Sequence, residues 1–152
     1  MTMMSLEKQL REDMKTAMKA GADGKLKLGV IRMLQANISN LKIELKMQDS
    51  ELEDNQVREI AKSFVKQLKQ EIEGLQEGGR DTSFQEAQRE VALSYLPVQL
   101  NEEQIRAAVD AAILKVGATS KKEMGKVMGA LASIRDQADM GIVKNIVQEK
   151  LN

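Results

Sequence analysis

The 152-residue chain contains no cysteine, no histidine and no tryptophan, and only one proline, Pro97. Without cysteine there is no disulfide framework, no zinc–thiolate centre and no thiol nucleophile. Without histidine there is no imidazole for acid–base catalysis, no Ser-His-Asp relay and no histidine-ligated metal. Aromatic side chains are limited to Phe64, Phe84 and Tyr95, too few for the stacking platforms that hold single-stranded nucleic acid. Charge of one sign is also lacking: 23 basic residues balance 23 acidic ones, so any attraction to a polyanion or membrane has to come from a local patch. No apolar run approaches the roughly 20 residues of a membrane span. The N-terminal MTMMSLEKQLREDMK carries acids where a signal peptide needs an apolar core. These absences lead to the expectation of a soluble, cytoplasmic protein with no cofactor, no metal and no membrane partner.

What is present is aliphatic, and it repeats with helical spacing. From Ser5, the residues Leu6, Leu10, Met14, Ala17 and Met18 define a first helix, interrupted at Gly21 and Gly24. On the next helix Ile31, Leu34, Ile38, Leu41 and Leu45 form one apolar strip. Met33, Ala36, Ile43 and Met47 form a second, nearly opposite, so this helix is expected to be packed on two sides. Arg32 lies between the strips, where an inter-helix ion pair with a buried stem and a ligand contact are both open. A third helix, capped by Asp54 or a neighbour, carries Val57, Ile60, Phe64, Leu68, Ile72 and Leu75 and ends at Gly78-Gly79. A fourth runs from about Asp81 to Tyr95, with Phe84, Gln88, Val91 and Tyr95 on one face. The ten methionines read as pliable core filler.

Leu96-Pro97 is the strongest boundary, because proline pushes its predecessor out of the helical region. It divides the chain into expected domains 1–96 and 97–152. Beyond it, NEEQ at 101–104 has capping-box form. It opens a helix through Ile105, Val109, Ala112, Ile113 and Val116, closed by Gly117. SKKE at 120–123 has the form of a second box, and Asp139 can cap a last helix with Val143, Ile146, Val147 and Leu151 facing inward. The fold class is therefore all-α, with an N-terminal lobe of about four helices and a smaller C-terminal lobe of three.

The helix opened by SKKE poses the functional question. Each interior glycine costs about 1 kcal/mol relative to alanine, yet Gly125 and Gly129 both lie within it. Met124, Val127, Met128, Leu131 and Ile134 make its core face; Gly125, Gly129 and Ala132 form a smooth strip to one side, bordered by Lys122 and Lys126. Two explanations stand. A neighbouring helix packs into the groove with the lysines merely solvated, or a phosphate backbone lies along it, paired to the lysines. The stretch is not a nucleotide-binding P-loop: Lys122 stands where the second glycine is needed and Val127 where Ser or Thr should follow Gly-Lys. Carboxylates are scattered on helix exteriors, so the residues offer no independent catalytic centre. Basic residues gather within 25–47 and 119–135 and acids within 48–60, a pattern that alternating solvated faces also produce.

VIRML at 30–34, YLPVQL at 95–100, GATSKKEMGKVMGAL at 117–131 and ADMGIVKNIVQEKL at 138–151 resemble the YqeY-like (GatB/YqeY) family. That family shares a domain with the tail of GatB, a component of the tRNA-dependent amidotransferase. The resemblance spans the whole chain and is most specific in its last blocks. It implies an all-helical protein whose segment 97–152 corresponds to the tail that helps hold the body of tRNA. Carbon–nitrogen ligase chemistry with glutamine as amido-N-donor belongs to the larger enzyme; this chain lacks the glycine- and serine-rich amidase signature. The implied role is a non-catalytic, translation-associated accessory protein whose partner is tRNA, an amidotransferase or another translation-related protein, with no DNA expected. The implied RNA contacts are Lys121, Lys122, Gly125, Lys126 and Gly129. A rival from another class is a protein-interaction adaptor whose Gly125/Gly129 groove receives a partner helix.

Overall fold

The computed structural model describes residues 4–151. Those residues form seven α-helices and short 3-10 turns, with no strand among them. The chain divides into two compact units, Met1–Leu96 and Pro97–Asn152.

In the first unit α1 is Leu6–Lys19, α2 Lys25–Leu45, α3 Asp54–Glu77 and α4 Ser83–Leu93. The start of α1 is tied down by side chains from the segment that enters α3. Ser5 caps α1 by accepting from the Lys8 amide, and its hydroxyl donates to Glu51 at 2.5 Å. The Leu6 amide, an orphan donor of the first turn, is taken by the Asp54 carboxylate at 2.9 Å. Asp54 is thus not the cap of α3. Glu53 is, through a capping box closed by Gln56, whose side-chain oxygen accepts from the Glu53 amide. The α1–α2 turn depends on Gly24: a Cβ there would lie 2.1 Å from the Ala17 carbonyl oxygen, so only glycine lets the two backbones meet.

Leu10, Val30, Ile31, Leu34, Ile38, Leu52, Val57, Ala61, Phe64, Leu68, Ala92 and Tyr95 build the core of this unit. Helix α2 touches α1, α3 and α4, and its buried residues Val30, Ile31, Leu34 and Ile38 all lie on one side. The expected second packed side is absent: Met33 is 49% and Ile43 60% exposed, and Ala36 faces solvent. Three neighbours on a single face suffice to bury α2, so Met33, Ala36 and Ile43 stay uncovered on the outer side, while Met47, past the end of the helix, packs half-buried against the core. Arg32, on that outer side, is exposed and forms no ion pair among the described residues. The fourth helix also departs from expectation. Phe84 is 58% exposed, and α4 stops at Leu93, so Tyr95 reaches the core from the turn beyond the helix rather than along a shared face. The Tyr95 hydroxyl donates to Asp13 at 2.5 Å. Burial and this carboxylate push the phenol well above its ordinary range.

The second unit contains α5 (Glu102–Val116), α6 (Met124–Ala130) and α7 (Met140–Lys150). The Asn101–Gln104 capping box forms in both directions, at 2.8 and 2.9 Å. Gly117 ends α5 in the left-handed region at φ 67°, where glycine carries no Cβ penalty. Asp139 caps α7 by accepting from the Gly141 amide at 2.8 Å. The entering segment is fixed by the Leu100 amide on the Gln137 carbonyl and by Gln99 on that of Asp136, each at 2.8 Å. The core is aliphatic, centred on Ile105, Val109, Val127, Leu131, Val143, Ile146 and Val147.

Candidate nucleic-acid interface

The SKKE stretch does not open one continuous helix. The Ser120 side chain makes no capping bond; the Glu123 carboxylate instead accepts from the Thr119 amide at 3.1 Å, one residue upstream of the expected position. The reach back to Thr119 winds Lys121–Glu123 into a 3-10 turn, after which α6 runs for seven residues, Met124–Ala130. A further 3-10 turn, Ala132–Ile134, follows. Ala132, expected to extend the glycine strip along the helix, is exposed but lies beyond the end of α6.

One side of α6 holds the segment in place. Val127 is fully buried and Leu131 nearly so, with Met124 and Met128 half-buried against the same cluster. The other side presents the residues singled out in the sequence: Lys121, Lys122, Gly125, Lys126 and Gly129 are all exposed. A Cβ built on Gly125 or Gly129 would meet no atom within 4 Å. Neither glycine has a positive φ. A neighbouring helix of the same unit therefore does not occupy the groove, and no left-handed conformation demands glycine there. Packing by a helix of this unit is not what the glycines serve: these positions have room for a side chain within the unit, and the helix carries the cost of leaving it out.

The electrostatics of the unit are lopsided. On the α5–α7 side, Arg106 bridges Glu102 and Glu149 at 3.1 and 3.2 Å, and these carboxylates hold its guanidinium above the ordinary range. Lys150 pairs with Asp110 at 2.6 Å. Lys121, Lys122 and Lys126 have no hydrogen-bond or ion-pair partner among the described residues. The one acid among them, Glu123, is engaged by the Thr119 amide. The result is a local basic surface on a chain of zero net charge, next to a stretch of backbone stripped of side chains.

Among the described residues no group of three or more acidic side chains could hold a metal ion. No helix among those residues is long and apolar enough to cross a membrane. Sequence reasoning missed one charged cluster altogether, Glu7 with Lys42 in the first unit. The signal was available: Glu7 shares the helical register of Leu10, Met14 and Ala17, a position where a carboxylate becomes buried.

These features define an all-helical protein of two units, the smaller of which displays unpaired lysines around an open glycine strip. The chain belongs to the YqeY-like family: the family model described as Yqey-like protein matches residues 7–151. No curated protein matches the chain.

Proposed function

We propose that this protein is a non-catalytic accessory factor of the cytoplasm that binds tRNA, or a complex carrying tRNA, through its C-terminal unit. The observation that carries this reading is the coincidence of two glycines open to solvent and Lys126 on α6 with the exposed Lys121 and Lys122 of the 3-10 turn that precedes it, all three lysines without partners among the described residues. Phosphates need both features: donors of positive charge and room for the sugar–phosphate chain to approach a helix backbone. Such contacts give affinity without reading bases. They suit a folded or duplex RNA recognised by shape, and the scarcity of aromatics argues against single strands. The resemblance of residues 117–151 to the amidotransferase tail supports the same partner. Glutamine-dependent ligase chemistry stays with the larger enzyme, for want of any catalytic constellation in this chain.

The test is the double variant Lys122→Glu/Lys126→Glu, assayed with folded tRNA across a range of salt. Binding should weaken, and the slope of log affinity against log salt should become shallower by roughly one to two units, each lost phosphate contact contributing about 0.7–0.9. A folded variant with unchanged affinity and slope would remove α6 from RNA binding. A salt-insensitive protein complex that depends on Gly125 and Gly129 would favour a partner helix in the groove instead.

A further inference from the structure

The outer face of α2 is uncovered, and it is patterned. Gly29, Met33, Ala36, Asn40 and Ile43 follow one another in steps of four and three, the a/d spacing of a coiled-coil seam. All five are exposed, and all lie within one regular helix, Lys25–Leu45. Met33 and Ile43 project as large apolar side chains about half exposed or more. Gly29 and Ala36 recede between and beside them; a Cβ on Gly29 would meet no atom within 4 Å. At 1.5 Å per residue the seam is about 21 Å long, room for two heptads of a second helix.

Charge is sorted along its edges. One flank, at intervals of seven, reads Lys25, Arg32 and Ser39, and Lys46 caps the helix one interval further. Lys46 stands at φ 58°, where glycine is the cheaper residue, so a cation is kept there against the backbone preference. None of these three cationic heads has a hydrogen-bond or ion-pair partner among the described residues. The opposite flank holds Asn37 and Glu44.

These features select the occupant. A phosphate chain would pair with the cations but gain nothing from Met33 and Ile43. A second copy packed antiparallel would set the flank of Lys25 and Arg32 against its own kind. Packed parallel, it would set Arg32 opposite Asn37 and Ser39 opposite Glu44, with no opposite charges facing. A different helix, apolar at a and d and carrying carboxylates along the edge that meets Lys25 and Arg32, satisfies both seam and charge. We propose that the outer face of α2 docks an acidic amphipathic helix of another protein, laid along residues 29–43.

The experiment is a 1H–15N NMR titration of the full chain with a peptide of about three heptads, Leu at a and d and Glu at e and g. Glutamate on both edges serves either orientation and keeps the peptide from pairing with itself. The control peptide has Lys at e and g. The acidic peptide should give saturable shifts at the amides of Gly29, Met33, Asn40 and Ile43, and bind at least about tenfold more tightly than the basic one. Met33→Gln and Ile43→Asn, at exposed positions, should each weaken it about fivefold or more, the scale of partly burying one aliphatic side chain. Lys25→Glu/Arg32→Glu should reverse the preference, and it decides the matter should either seam variant fail to fold. No saturable shift, equal binding of the two peptides, unchanged affinity in the folded seam variants or an unaltered preference in the charge-reversed one overturns the proposal. So does self-association of the chain through Met33 and Ile43, or a folded tRNA that shifts these amides where the acidic peptide does not.

Discussion

The two units solve the problem of being a small helical core in opposite ways. The first has long helices and fastens them with polar contacts between distant parts of the sequence: Ser5 to Glu51, Leu6 to Asp54, Asp13 to Tyr95, Glu7 to Lys42. It contains both buried polar or charged residues of the described chain, Glu7 and Thr82, and all three aromatics. The second has short helices joined by 3-10 turns, and its buried residues are only Ile, Val, Leu and Ala. Apart from the bonds of Gln99 and Leu100 to the carbonyls of Asp136 and Gln137, its polar groups are spent on caps and on surface ion pairs. The difference separates two uses of charge. In the first unit the Glu7–Lys42 pair is drawn inward and fixes how helices meet; in the second, charge is kept outside, as on Lys121, Lys122 and Lys126.

The sharpest way to break the comparison is Gly24→Ala. The added Cβ would collide with the Ala17 backbone, and overpacking against a main chain that cannot retreat should cost about 3 kcal/mol or more. Hydrogen exchange should then show lost protection throughout α1–α4, with α5–α7 unaffected; an equal loss in both units would mean that they unfold as one. Next in size is Glu7→Leu, which strands the mostly buried Lys42 ammonium and should cost about 2–3 kcal/mol in urea denaturation, somewhat below a fully buried pair because Lys42 is partly exposed. The double variant Glu7→Leu/Lys42→Met should recover most of that loss. If it does not, the pair contributes more than its own solvation, and the inward use of charge is stabilising in itself.

A smaller effect, about 1 kcal/mol, is expected from Tyr95→Phe, which removes the bond to Asp13. The native phenol is held above its ordinary range, so its neutral form is favoured in the folded state. Its contribution is complete below the unfolded value near pH 10 and is lost as pH rises beyond it. Denaturation midpoints measured from pH 8 to 11 should therefore fall less steeply for Tyr95→Phe than for the wild type. The smallest change, and one of opposite sign, is Gly129→Ala. With open space around its Cβ, it should stabilise the chain by about 0.5–1 kcal/mol through helix propensity while weakening tRNA binding. Gain of stability without loss of binding would return the glycine to mere tolerance.

Much of this architecture is written in local signals. Asn101 with Gln104, Gly117 and Asp139 each specify a helix end through their own backbone bonds, and such signals survive without knowledge of the neighbours. What could not be read depended on how many partners a helix has. Met33 and Ile43 looked like a second core face because periodicity reports that residues share a side, not that anything covers it. Glu123 fitted a capping box, but its carboxylate reached the Thr119 amide instead, a choice between two donors one residue apart. The candidate site was legible as residues and not as a reason. Lys121, Lys122, Gly125, Lys126 and Gly129 were all identifiable, yet only the free space around the glycines removes packing by a helix of their own unit as the explanation.

The confinement of Phe64, Phe84 and Tyr95 to the first unit has a consequence for anyone who follows this protein with light. With no tryptophan and no cystine in the chain, tyrosine emission and near-ultraviolet dichroism both originate in residues 64–95. The lobe bearing α6 is silent at those wavelengths. A melting curve recorded there would describe the first unit alone, and a bound RNA could order or loosen the second without moving the trace. A tryptophan introduced at Leu114, whose side chain is 83% exposed, would give the silent lobe a signal of its own.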